Sequence, residues 1–108
     1  MNKFYILLCL FLITCDAKSK LAGVWTHQNP SPGYSVQTIL NEDNSMTMTI
    51  NNESWSDNQS FSGTWSIKGN YITFNMDGGV KAYQYRFDGY ELILINESTG
   101  SENIYKKQ

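Results

Sequence analysis

The sequence predicts an all-β domain, a small antiparallel barrel of eight strands running up and down. Three observations predict it. Apolar and polar residues alternate with a period of two in several short runs. Turn-forming pairs such as Asp88-Gly89 separate those runs. No segment carries a sustained helical period. A two-sheet sandwich is the alternative architecture for the same set of strands.

The runs follow in order. Leu21–His27 opens the domain, and Tyr34–Leu40 follows a loop that holds the only two prolines, Pro30 and Pro32. In Ser45–Asn51, Met46, Met48 and Ile50 share one face, opposite Thr47 and Thr49. Phe61–Ile67 comes after a polar stretch that contains Trp55. In Tyr71–Met76, Ile72, Phe74 and Met76 face away from Tyr71, Thr73 and Asn75. In Lys81–Phe87, Tyr83, Tyr85 and Phe87 oppose Gln84 and Arg86. Glu91–Asn96 and Glu102–Lys107 complete the set. The runs are rich in Thr, Tyr, Ile, Trp and Phe, which suit a pleated, half-buried surface. Hairpin connections give a meander, and pairing its first and last strands removes both exposed edges.

The N-terminus sets the compartment. Lys3 precedes an apolar run from Phe4 to Ile13. That run is about ten residues, half of the ~20 needed to span a bilayer, and matches the core of an export signal. Leu12-Ile13-Thr14-Cys15 resembles the bacterial lipobox, in which the cysteine is diacylated and becomes the new N-terminus. Plain secretory cleavage after Ala17 is the competing reading. The expected organisation is a lipoprotein signal peptide over 1–14, lipidated Cys15 with a short tether over 15–20, and a barrel domain over 21–108. The expected location is the cell envelope, with the chain membrane-anchored and facing periplasm or cell surface; the alternative is a secreted protein.

Composition narrows the function classes. The whole chain carries a net charge of −2. Loss of the signal with Lys3 leaves about −3, with no basic patch, which speaks against nucleic-acid partners. Both cysteines, Cys9 and Cys15, lie at the signal, so the domain must hold together through sheet and aromatic packing. The seven Tyr, five Phe and three Trp supply that packing.

Catalytic chemistry finds little support. His27 is the only histidine, and no nucleophile motif surrounds any serine. A zinc site cannot be assembled around one histidine. The acidic residues Glu42, Asp43, Asp57, Asp77 and Asp88 fall mainly in turns, where turn formation explains them. The expectation is a non-enzyme without cofactor or metal.

One motif carries a resemblance. Gly23-Val24-Trp25 opens the first strand, and Gly63-Thr64-Trp65 repeats its Gly-x-Trp pattern. A glycine two before an indole lets another chain approach closely. The opening resembles the lipocalin signature, and the chain from Leu21 to Lys107 resembles small bacterial lipocalin-like lipoproteins. That resemblance implies a calycin-type barrel in which a basic residue near the end, here Lys106 or Lys107, covers the first Trp. The expected interior set is Trp25, Met46, Met48, Phe61, Trp65, Phe74 and Leu94. The function implied is binding of a small apolar ligand, with Tyr34, Met46, Met48, Trp55 and Phe74 as candidate contacts. Trp55 is expected to fold as a lid over the barrel mouth. The alternative is a protein-interaction or inhibitor module whose loops contact a host-enzyme or envelope partner.

Overall fold

The structure, a computed structural model, describes residues 17–108. Cys15 and the expected signal peptide lie outside the described residues. Eight antiparallel strands, β1 (Gly23–His27), β2 (Tyr34–Leu40), β3 (Ser45–Asn52), β4 (Gln59–Lys68), β5 (Tyr71–Met76), β6 (Gly79–Asp88), β7 (Glu91–Ile95) and β8 (Glu102–Lys107), form a closed barrel. Each strand pairs with its neighbour in sequence, and β1 pairs with β8 through Trp25↔Lys107 and His27↔Tyr105. The closed barrel, and not the sandwich, is therefore the fold.

Two arms differ from the sequence expectation. β4 begins at Gln59 and β6 at Gly79, each two residues before the apolar alternation starts. Backbone pairing, as in Ile50↔Gln59 and Asn75↔Val80, continues past the residues whose alternation marks the inward face. The expected first strand is shorter, because Ala17 to Leu21 wind into a helical turn. That turn caps one end of the barrel. Leu21 is fully buried, and the Trp25 indole Nε1 donates a 2.8 Å hydrogen bond to the Leu21 carbonyl.

The core runs along the barrel axis through Leu21, Trp25, Leu40, Met46, Trp65, Ile72, Phe74, Leu92, Leu94 and Tyr105. Among the described residues every strand and every core residue lies between residues 21 and 107, so this span holds a closed barrel with its own core.

The two Gly-x-Trp glycines answer to different neighbours. A Cβ on Gly63 would stand 2.1 Å from the Asn75 carbonyl oxygen, so β5 presses directly on β4 there. A Cβ on Gly23 would meet the Lys107 side chain, and its φ of 144° disfavours any L side chain. Lys107 covers the first indole as the resemblance implies, its Nζ 5.6 Å from the Trp25 ring centroid.

Asn44, in the β2–β3 turn, ties the capped end together. Its φ of 72° lies in the left-handed region, which Asn tolerates. Its Oδ1 accepts from Lys18 Nζ at 2.7 Å, and its Nδ2 donates to the Trp65 carbonyl at 2.8 Å.

Candidate functional site

Antiparallel order sorts the connections to two ends. The capped end holds residues 17–22, the turns at 41–44, 69–70 and 89–90, and the C-terminus. The opposite, open end holds the loops 28–33, 53–58, 77–78 and 96–101.

The interior between the ends is nearly filled. One cavity of about 20 Å³ lies among Trp25, Thr38, Met48, Phe74, Leu94 and Tyr105. That volume is about the size of one water, but the walls are almost wholly apolar and lack the polar partners that would hold one. The Thr38 hydroxyl borders it, buried and without a hydrogen-bond partner. A drug-sized ligand needs hundreds of Å³, so the barrel interior is a packed core.

The open end offers more room. A cleft of about 250 Å³ lies between β3, β4 and the β5–β6 turn, walled by Met48, Ile50, Phe61, Met76 and Lys81. Phe61 corrects the expected interior set. It points inward, paired with Met48, but it sits so near the mouth that it is 37% exposed. Lys81 faces the same way because it pairs with Phe74. Continuing the Tyr83, Tyr85, Phe87 face back by two residues identifies Lys81 from sequence.

The five candidate contacts separate into three places. Met48 and Phe74 meet at the small inner cavity, where Phe74 also packs on Tyr83 with centroids 5.9 Å apart. Met46 is buried towards the capped end, paired with Leu40 and Gly63. Tyr34 and Trp55 meet on the open rim, ring centroids 5.7 Å apart and planes 87° from parallel. Trp55 lines neither the inner cavity nor the mouth cleft. It therefore stands beside the mouth on Tyr34, where a lid across the opening was expected. Asn52 shapes this loop by accepting from the Ser54 backbone N–H at 2.9 Å and its hydroxyl at 2.7 Å.

His27 and Tyr105 border the same end. Their rings stack with centroids 4.7 Å apart. Burial holds the imidazole below its ordinary value of 6.5, a shift that Asn29 partly offsets. Burial, with Tyr83 beside it, pushes the Tyr105 phenol up to about 12. His27 Nε2 is buried without a hydrogen-bond partner. Among the described residues no three His, Cys, Asp or Glu side chains are grouped to hold a metal ion. The mouth cleft thus combines an apolar ring, methionines and the Lys81 ammonium, an arrangement suited to contact with a partner surface.

The chain belongs to the lipocalin-like domain family, whose profile matches residues 19–101. Among solved structures it is similar to the Cpx pathway activator NlpE from Escherichia coli, with a TM-score of 0.55 at 16% identity. The match covers 75% of this chain and 45% of that one, so this chain spans less than half of the NlpE chain. At that identity the likeness concerns the fold. No curated protein matches the chain.

Proposed function

We propose that this lipocalin-like domain is the soluble part of a cell-envelope lipoprotein, anchored through Cys15, and that it acts by non-catalytic binding of a protein partner at its open end. The nearly filled interior carries the reading. A barrel whose inner cavity among the described residues is about 20 Å³ has no room for deep cargo, so recognition falls to the surface. Tyr34 and Trp55 meet on the open rim, Phe61 and Val80 lie on the β4 and β6 arms of the same end, and Tyr34, Phe61 and Val80 are exposed. Exposed aromatics that stand together are typical anchors of protein contacts.

A photo-crosslinker placed at Trp55, and in parallel at Tyr90 on the other end, tests this in the host envelope. Position 55 should yield one discrete partner, and position 90 should not yield it. Equal crosslinking from both positions would remove the open-end assignment. For the anchor, intact masses of the exported protein and of Cys15→Ala should differ by the diacyl group. A mature chain that begins at Lys18 would replace the lipoprotein reading with secretion.

The mouth cleft favours a second reading. Its Met48, Ile50, Phe61 and Met76 walls suit a small apolar ligand held shallowly. Native mass spectrometry of protein purified from its host would then reveal a bound apolar species, lost in Phe61→Ser.

A further inference from the structure

We infer that the capped end is a docking face for an anionic lipid bilayer, with Lys20, Lys106 and Lys107 set around Phe87 and Tyr90 to receive the headgroups. The inference rests on the anchor proposed above for its geometry, and its test separates the two.

A second cleft, of about 370 Å³, opens at the capped end among Lys20, Trp25, Phe87, Tyr90, Lys106 and Lys107. Lys20 Nζ stands 5.8 Å from the Phe87 ring centroid. Lys107 Nζ donates to the Lys20 carbonyl at 3.2 Å while lying over Trp25. These contacts hold two ammonium groups at the cleft wall. Tyr90, at the tip of the β6–β7 turn, is 89% exposed. An aromatic that projects beside lysines matches the arrangement found at membrane–water interfaces, where an amphipathic ring sits at headgroup level.

Charge is also sorted along the barrel. Lys18, Lys20, Lys68, Lys106 and Lys107 lie at the capped end, where Glu42, Asp43, Asp88 and Glu91 nearly balance them. Glu53, Asp57, Asp77, Glu97 and Glu102 lie towards the open end, with Lys81 as a basic residue there and Arg86 ion-paired to Glu102 from further along β6. An anionic surface therefore repels the open end more strongly than the nearly neutral capped end, where the lysines of the cleft are the groups that meet it.

Chain length agrees. Cys15 is two residues before Ala17, where the described chain begins. Two residues reach at most about 7 Å. A chain lipidated at Cys15 brings the capped end within reach of the headgroups, leaving no long linker in which the domain could tumble.

The test uses residues 15–108 with Cys15→Ser, which retain the closed barrel with its core and have no acyl chains. Sedimentation is measured with phosphatidylcholine vesicles and with vesicles that also contain phosphatidylglycerol. Binding should appear with the anionic vesicles and fall as salt rises. Lys20→Gln and Lys106→Gln should each lower partition by about fivefold. Tyr90→Ser should lower it further, whereas Lys81→Gln at the other end should leave it unchanged. Thermal melts check that each variant is folded. Absence of binding, equal binding to neutral and anionic vesicles, or an effect of Lys81→Gln as large as that of Lys106→Gln would overturn the inference. Intact mass of the exported protein reports separately on Cys15. A diacylated Cys15 with no headgroup preference defeats the docking face alone. An unmodified Cys15 with salt-sensitive vesicle binding defeats the anchor alone.

Discussion

Replacing Gly63 by alanine should destabilise the barrel severely, although the change adds one methyl group. The new Cβ would stand 2.1 Å from the Asn75 carbonyl oxygen and 3.0 Å from the Met76 Cα. Ordinary contact begins at 3.4 Å, so β4 and β5 must part by about 1.3 Å, the difference from the closer distance. Both obstacles are backbone, and no rotamer relieves them. Overpacking of this kind costs about 1–3 kcal/mol, and straining the Gly63↔Met76 ladder adds about 1 kcal/mol per weakened hydrogen bond. Removing a flexible glycine from a strand returns about 0.5–1 kcal/mol. The net loss is about 3 kcal/mol, or a fall in melting temperature of about 12–24 °C for a domain of this size. Near-UV circular dichroism of the tryptophans during heating measures it. Gly23→Ala provides the contrast. Its Cβ meets the movable Lys107 side chain, so Lys107→Ala should recover part of the loss in a Gly23→Ala background. The residual loss reflects the positive φ. No side-chain trimming should rescue Gly63→Ala. A Gly63→Ala protein that melts with the parent would refute the close approach on which the Gly-x-Trp interpretation depends.

Further expectations concern single contacts. Thr38→Val should stabilise the domain by about 1 kcal/mol, because it removes a buried hydroxyl that has no partner; urea midpoints measure the gain. Asn44→Gly keeps the left-handed turn but loses the side-chain bonds to Lys18 and Trp65, so it should cost about 1–2 kcal/mol, and Asn44→Ala should cost more. His27 titrates lower in the folded chain than its ordinary 6.5 because of burial. The unfolded state therefore binds its proton first, and stability should fall as pH drops below about 6.5, levelling off below the folded value. Urea midpoints at neutral and acidic pH should differ for the parent and differ less for His27→Gln.

The strands were legible because each side chain reports its own face. Met46, Met48 and Ile50, or Ile72 and Phe74, announce an inward row without knowledge of their partners. Turn chemistry at Asp88-Gly89 supplied the order, and the absence of a long crossover left a meander that closes on itself. What alternation omits is height along the barrel axis. Phe61 and Trp65 belong to the same inward row, but the hairpin carries one to the mouth and the other to the core. The Ala17–Leu21 turn was illegible for a related reason. Five residues cannot display a 3.6 period, and this turn is held by tertiary contacts of Leu21, Trp25 and Asn44. Trp55 sits in a polar stretch without a period, so sequence could state that it has a role but not whether its ring crosses the mouth or stands beside it.

The location of the useful surfaces follows from size. An eight-stranded barrel is just wide enough to be filled by side chains or to hold one small ligand. A domain of about 90 residues without a disulfide has little stability to spare. Two indoles, Leu21, Met46 and Phe74 fill the axis, and each would have to be withdrawn to make room for cargo. Leu→Ala-type truncations in such positions cost about 2–5 kcal/mol, a large part of a small domain's total. Stability therefore claims the interior and leaves the ends as the places where loops can change without touching the core. The ends are not equivalent. One is sealed by Leu21 and walled with lysines, and the other is open, acidic and rimmed with Tyr34, Trp55 and Phe61. A barrel so polarised suits a protein that holds a surface with one end and presents a partner site with the other.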